Sequence, residues 1–418
     1  MSEMDPFPSS SSERQVHTDS QRCLDCHFCR NAFPYCPTEE HCAGCGACVA
    51  ACPGEARYLV PRKLSNDSVK IWINGEPFET LASSTVLQAL LHAGFHVNSF
   101  PGDGDICAPC RTGGCWSCAV QINGKLQPSC VTPLQPNMRI ETDIAQEPVL
   151  RVISGFQGHS VGGVGTPYNL KAKGLRGHYI EVAGFTHGCV LRCPTCQNWH
   201  TTYSSRGQPL SPRKAAKLLT RARRTYGVDR IAISGGESTL NRPWLIQLVA
   251  ELRRLNPDPD ARIHIDTNAV MLTPDYLDEL VARGMTDIGP DTKGLELETF
   301  SCITGITNPE LAEKLHRTEW GAIKHLVTQY FDEIFIGIGI PYNFELISLE
   351  EIQRIGETLA SWEPDVQVCV LDYRPEFRAS QLIRPTFDEM VNVKRILEQA
   401  GLTAVICQTT RGHIGPEK

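Results

Sequence analysis

The sequence predicts a multidomain protein: a small α+β module, a small β-rich module, and an α/β domain built on a parallel sheet. Three observations predict it. Of 19 cysteines, eight lie between Cys23 and Cys52, five between Cys107 and Cys130 and three between Cys189 and Cys196. A glycine-rich stretch holding Gly155, Gly158, Gly162, Gly163, Gly165 and Gly174 separates the second group from the third. Beyond it, strand and helix patterns alternate to the end of the chain. The expected layout is a flexible tail over 1–20, modules over 21–62 and 68–146, a linker over 147–176 and the α/β domain over 177–418. A chain of 418 residues exceeds one compact core, so several domains are the expectation.

Apolar residues make up 41% and charged residues 21%, an ordinary globular balance. The net charge of −7 predicts neither nucleic acid nor an anionic membrane surface as partner. No apolar run is long enough to span a bilayer, and MSEMDPFPSSSSERQ lacks the basic start and apolar stretch of a secretory signal. A cytoplasmic protein is expected. In a reducing compartment, thiolates at short spacings are metal ligands rather than disulfides. Cys302, Cys369 and Cys407 stand apart from the groups and read as small buried apolar residues.

In the first module, Cys42, Cys45, Cys48 and Cys52-Pro53 follow a C-x2-C-x2-C-x3-C-P spacing, with Gly44 and Gly46 allowing close backbone approach. A second set precedes it: Cys23, Cys26 and Cys29 at two-residue gaps, then Cys36-Pro37. Such C-x2-C pairs also serve zinc, but eight cysteines in two runs ending in Cys-Pro point to iron–sulfur clusters. The segment resembles a bacterial dicluster ferredoxin, apart from the longer gap between Cys29 and Cys36. The resemblance implies one [4Fe–4S] cluster on Cys23, Cys26, Cys29 and Cys52 and a second on Cys36, Cys42, Cys45 and Cys48.

The second module begins with an alternating strand, Val69 to Ile73, entering an Asn74-Gly75 turn. Thr85 is placed to cap a short helix that turns Val86, Leu87, Leu90 and Leu91 inward and stops at Gly94. Ala119 to Ile122 with Asn123-Gly124 predicts another hairpin. Around it, Cys110, Cys115, Cys118 and Cys130 follow the C-x4-C-x2-C order with a fourth cysteine beyond, the spacing of [2Fe–2S] proteins. The module is similar to the β-grasp [2Fe–2S] domain of the succinate dehydrogenase iron–sulfur subunit. Cys107 is a fifth thiol that this pattern does not use.

In the third domain, strands are expected near 178–185, 229–234, 262–266, 285–291, 333–340, 366–371 and 404–407. Helices are expected between them, among them Pro212 to Tyr226 with Ser211 as cap, and Pro243 to Leu255. Six or seven βα units imply a parallel sheet with right-handed crossovers, curling into a (β/α)6-type partial barrel with functional residues at the carboxyl ends of its strands. The motifs fall there. The first strand runs into Cys189-x3-Cys193-x2-Cys196, and the second ends in Ser234-Gly235-Gly236-Glu237. The third ends in Asp266-Thr267-Asn268, the fourth in Asp291-Thr292-Lys293, and the fifth carries Gly337 and Gly339. Each alone could be a cap, a turn or an ion pair. All of them arriving in order at strand ends favours one site.

Three thiolates with no fourth cysteine nearby leave one iron of a [4Fe–4S] cluster open, which marks a catalytic metal. This loop is identified as that of the radical S-adenosylmethionine (SAM) superfamily. Where many relatives carry an aromatic residue before the third cysteine, this chain has Thr195; Trp199 is either its stand-in or a core residue. The resemblance implies SAM bound at that cluster, with Gly235, Gly236 and Glu237 on its amino group, Lys293 beside Asp291 on its carboxylate, and Asp266, Asn268 and Gly339 as further contacts. It also implies reductive cleavage of SAM to methionine and a 5′-deoxyadenosyl radical that abstracts a hydrogen atom. The set of CVLRCPTCQNW, SGGE, DTN and DTK is most similar to glycyl-radical activating enzymes, which implies a glycyl-radical enzyme or other protein substrate. A small molecule or a peptide is the alternative substrate, and an electron-transfer subunit with an idle barrel is the non-enzymatic alternative. The two front modules, in series, are expected to relay electrons from an external low-potential donor. Removing 1–146 is then expected to abolish turnover with a weak reductant and spare it with a strong one.

Overall fold

The computed structural model describes residues 14–36, 41–62, 67–160 and 180–416. The first part of the expected tail and most of the expected linker lie outside them. The chain forms two compact units: residues 1–154 with 186–190 and 198–211, and residues 155–185 with 191–197 and 212–418.

In the first unit, strands β1 (Arg14–Thr18) and β2 (Arg57–Pro61) pair antiparallel, Arg14 opposite Pro61. The end of the expected tail is therefore ordered. The cysteine-rich segment between them makes two one-turn helices, α1 (Phe28–Asn31) and α2 (Ala47–Ala50). Each starts after a left-handed residue, His27 with φ 54° and Gly46 with φ 73°. Such tight reversals turn consecutive thiols toward one point.

Five strands then form a mixed sheet: β3 (Ser68–Ile73), β4 (Glu76–Leu81), β7 (Ala119–Ile122), β8 (Lys125–Pro128) and β9 (Arg139–Glu141), in the order β4-β3-β9-β7-β8. The central pair β3 and β9 is parallel and the other neighbours are antiparallel. A small pair, β5 (Val97–Asn98) and β6 (Ile106–Cys107), stands beside it in sequence. Helix α3 (Val86–His92) follows β4. The Thr85 hydroxyl accepts the Gln88 amide N–H at 3.2 Å while the Gln88 side chain accepts the Thr85 N–H at 2.7 Å, a reciprocal cap. The helix buries Val86, Leu87, Ala89 and Leu90; Leu91, expected inside, is half-buried because Ala89 takes the inner face.

The expected linker over 147–176 contains a ten-residue strand, β10 (Arg151–Ser160), whose glycines did not prevent pairing. Its first residues pair with β12 (Pro209–Leu210), Arg151 opposite Leu210. Helix α4 (Trp199–Thr202) lies between the cysteine loop and β12.

The second unit carries the sheet β11 (Ile180–Thr186), β13 (Arg230–Gly235), β14 (Arg262–Thr267), β15 (Asp287–Pro290), β16 (Phe335–Tyr342), β17 (Gln367–Asp372), β18 (Val405–Thr409) and β19 (Gly412–Ile414), neighbours in that order. Strands β13 to β18 are parallel and β19 returns antiparallel. Their helices are α5 (Pro212–Tyr226), α6 (Arg242–Leu255), α7 (Pro274–Ala282), α8 (Leu297–Thr304), α9 (Pro309–Tyr330), α10 (Leu349–Trp362) and α11 (Phe387–Gln399). The strands are mostly apolar, as a sheet covered by helices requires, although they also bury polar residues such as His264, Gln367 and Asp372. Where charge enters at their amino ends it is paired: Arg230 reaches Glu181 at 2.6 Å, and Arg262 reaches Asp287 at 2.8 Å. Cys369 and Cys407 are buried apolar residues as expected, whereas Cys302 on α8 is exposed.

Candidate metal centres and cofactor site

Cys110, Cys115, Cys118 and Cys130 come together in the first unit, all buried. Their thiols hydrogen-bond to one another: Cys110 with Cys115 and Cys130, and Cys118 with Cys130. These bonds hold Cys118 below the ordinary thiol value and, outweighing burial, hold Cys110 there too; they push Cys130 above it. Burial likewise lifts Cys115. Such a cluster gives up its protons together when a cation replaces them. Two buried donors beside it, the Thr112 hydroxyl and the Trp116 indole N–H, find no acceptor among the described residues. The inorganic sulfide of an iron–sulfur cluster would supply such acceptors, so the four thiols with the Thr112 and Trp116 donors fit that group. Cys107 lies near Cys110 and Cys118, and burial pushes its thiol up to about 12.

Two further groups form in the same unit. Cys29 sits where Cys52, Cys26 and Cys23 all act on it, and these four line one cavity with Leu24 and Arg57. Cys45 has Cys42 and Cys36 as neighbours, and Cys48 has Cys45 and Cys36. Burial lifts the Cys45 thiol to about 12 and the Cys48 thiol further. Arg57, buried at the start of β2, acts on Cys29 and hydrogen-bonds Cys48.

At the carboxyl ends of the barrel strands, Gly235 turns β13 with φ 108° and hands over to Glu237. The Glu237 carboxylate, fully buried, accepts from the Thr239 amide (3.0 Å) and hydroxyl (2.6 Å), the Thr267 hydroxyl (2.6 Å) and the Asn268 amide (2.8 Å). As placed, it ties β13 to the end of β14. Gly236 is part-exposed beside it. Asp266 takes the His264 ring at 2.7 Å; burial lifts its carboxyl, but His264, Arg230 and Ser234 together hold it below the ordinary value. The Asn268 side chain accepts from the Val270 amide at 3.3 Å.

At the end of β15, the Lys293 ammonium donates to Asp291 at 3.2 Å and to the Tyr373 hydroxyl at 3.1 Å. Burial works against the charged lysine, but Asp291, then Tyr373 and Cys193, hold it well above its ordinary value. Burial lifts Asp291 despite Lys293. Cys193 lies close enough to Lys293, Cys196 and Asp291 to feel each, and burial pushes its thiol up to about 12. The Cys196 amide donates to the Cys193 carbonyl at 3.2 Å, and the Arg378 amide holds the Pro194 carbonyl at 3.0 Å. The Arg192 amide meets the Thr304 carbonyl at 2.8 Å. Gly339 in β16 is buried, and its carbonyl accepts the Thr292 amide at 2.8 Å.

Cys189, also buried, belongs with 186–190 to the first unit. Trp199, on α4 in that unit, meets Phe28 edge-on at 4.8 Å. Sequence reasoning missed Tyr373, which carries no motif but follows β17, and Glu319 on α9, fully buried near Lys293 and Asp291. A position one past a strand end was the available signal for Tyr373.

Comparison with known proteins bears on this domain. Residues 184–327 match the radical SAM superfamily. The chain carries a radical SAM domain. Residues 66–144 match a 2Fe-2S iron-sulfur cluster binding domain, which covers the four-thiol group ahead of the radical SAM domain. Among curated proteins, the chain is 26% identical over 121 residues to the probable GTP 3′,8-cyclase of Saccharolobus solfataricus, covering 29% of this chain and 37% of that protein. It is 29% identical over 121 residues to the AdoMet-dependent heme synthase of Methanosarcina barkeri, covering 29% and 33%. The match thus spans about a third of the length of these relatives. Among solved structures, Streptococcus suis SuiB bound to precursor peptide SuiA is 18% identical with a TM-score of 0.38, covering 52% of this chain and 46% of that one. Among the described residues no helix is long and apolar enough to cross a membrane.

Proposed function

We propose that this radical SAM domain reductively cleaves SAM to abstract a hydrogen atom from a small molecule or peptide, and that the front modules deliver the electron. When bound on Cys189, Cys193 and Cys196, the [4Fe–4S] cluster and SAM supply a 5′-deoxyadenosyl radical from one electron and one broken carbon–sulfur bond. The observation that carries the reading is the convergence of Cys193 and Cys196 with Lys293 and Asp291 inside the radical SAM match. A buried ammonium held charged there binds a carboxylate such as that of the methionine part of SAM. Gly235 and Gly236 are proposed to meet its amino group together with Glu237, while Asp266, Asn268 and Gly339 offer further contacts from the neighbouring strand ends. Glu237 also fixes Thr267 and Asn268 in place.

Three [4Fe–4S] clusters and one [2Fe–2S] cluster are proposed in all. The mixed five-stranded sheet with its helix supports a β-grasp reading of 68–146, and the two thiol groups support a dicluster ferredoxin over 21–62. On substrate, the curated relatives are named as a GTP cyclase and a heme synthase, which favours the small-molecule alternative over a glycyl-radical enzyme.

The test is a Cys193→Ala variant, reconstituted without oxygen and reduced with dithionite, assayed for 5′-deoxyadenosine. Loss of product with the front clusters intact supports the proposal; wild-type turnover sinks it. Deuterium carried from candidate substrates into 5′-deoxyadenosine then identifies the substrate.

A further inference from the structure

The segment that leads into Cys189 is built into the same unit as the four-thiol group, and the two meet at Gly188. A methyl group on Gly188 would stand 2.9 Å from Cys110 Cβ, 3.1 Å from its Sγ and 3.0 Å from the Cys115 amide nitrogen. From the other side, a methyl group on Gly114 would meet His187 Cβ at 2.7 Å and the Gly188 amide nitrogen at 2.8 Å. The contact is held from behind: the Val152 amide donates to the Gly114 carbonyl at 3.3 Å, and the His187 amide to the Val152 carbonyl at 3.1 Å. The His187 ring bridges Ser154 (3.1 Å) and the Ser204 carbonyl (2.8 Å). With φ 86°, Gly188 also occupies a backbone region that other residues rarely adopt. Two glycines therefore let the backbone carrying Cys110 and Cys115 touch the backbone carrying Cys189, with no side chain between them.

The same unit carries two earlier junctions. Arg57 acts on Cys29 in one front group and Cys48 in the other. Tyr35, adjacent to Cys36, lies where Cys130 acts on it. The junctions connect the thiol groups pairwise: the Cys29 group to the Cys48 group through Arg57, the Cys48 group to the Cys110 group through Tyr35, and the Cys110 group to Cys189 through Gly188. The competing contact, Phe28 against Trp199, reaches the chain only three residues beyond Cys196.

We propose that Gly188 is the coupling position of this protein, making the two-iron group on Cys110, Cys115, Cys118 and Cys130 the immediate electron donor to the radical SAM cluster. The inference rests on the relay reading above. One electron leaves the reduced two-iron group as the barrel cluster gains one, and a low-potential one-electron donor protein replaces it at the front.

The experiment uses the full chain, reconstituted with iron and sulfide and partly reduced. Electron paramagnetic resonance power saturation of the two-iron signal is compared in the wild type, Cys189→Ala and Gly188→Ala. Faster relaxation in the wild type, lost in Cys189→Ala and weakened in Gly188→Ala, is the expected result. Identical relaxation in the wild type and Cys189→Ala, or enhancement of a front [4Fe–4S] signal in place of the two-iron one, overturns the proposal. The wild type and Cys189→Ala decide this even where Gly188→Ala fails to fold. Adding SAM then separates the two readings. Reoxidation of the coupled two-iron group supports the donor role; coupling without reoxidation overturns it by defeating the relay reading and not the contact.

Discussion

The Thr267 hydroxyl donates to the Glu237 carboxylate across 2.6 Å, joining the ends of two neighbouring parallel strands, β13 and β14. The motif that sequence reading assigned to cofactor recognition is thus also a structural tie. In Glu237→Gln, an amide NH2 faces donors that the carboxylate accepted. The variant is expected to lose about 1–3 kcal/mol of barrel stability, along with SAM affinity. Chemical denaturation and SAM titration check both, and an unchanged unfolding midpoint would show that the tie contributes nothing.

Glu319 is fully buried beside Lys293, whose ammonium and backbone amide both act on its carboxyl. Burial, against the pull of Lys293, lifts its carboxyl well above the ordinary 4.5. Its carboxyl holds its proton to a higher pH in the folded chain than in the unfolded one. The folded state binds the extra proton, so the wild type loses stability as pH rises from 4.5 toward the raised folded value. Glu319→Gln lacks this titration. It should be the more stable of the two at pH 8, with the gap closing toward pH 4.5 in denaturation curves. A gap independent of pH would rule out the buried neutral acid.

Arg57 places a buried cation against Cys29 and Cys48. A positive charge stabilises the more negative, reduced cluster on either group. Arg57→Gln is therefore expected to lower the midpoint potentials of the two clusters proposed for these thiol groups, by about 60 mV for one electron if a charge-assisted contact of about 1.4 kcal/mol is lost. Potentiometric titration followed by electron paramagnetic resonance reads this. A rise in either potential would reverse the argument.

Deleting 1–146 is no longer a clean test of relay. The deletion removes Ala32, whose carbonyl accepts the Ser205 amide at 2.9 Å, and Phe28, which packs on Trp199. It also removes Cys110 from beside Gly188. The truncated chain should precipitate or lose its barrel cluster with either reductant. Single replacements such as Cys26→Ser and Cys115→Ser should instead lower turnover with a weak donor more than turnover with dithionite. Equal loss with both donors would count against relay.

Much of this protein could be read from the chain alone, because thiol spacing and strand periodicity are local. The spacing Cys110, Cys115, Cys118 by itself spells out a cluster loop. The apolar runs ending at Gly235, Thr267 and Pro290 placed three strand ends within a few residues of where they lie. The glycine-bearing stretch 151–160 reads as linker and forms a strand, since its neighbours β12, nearly 60 positions away, and β11 arrive through the fold. Tyr373 at Lys293 and Arg57 between two thiol groups have no spacing signal, because each partner arrives through the fold.

The sequence by itself determined the chemistry: which thiols exist, in what order, and that a radical SAM loop opens a barrel of parallel strands. Only the tertiary structure decided which groups touch. Gly188 meets Cys110 although 77 positions separate them in the sequence. Contact at that range depends on how two backbones close on each other, and two glycines permit it without announcing it.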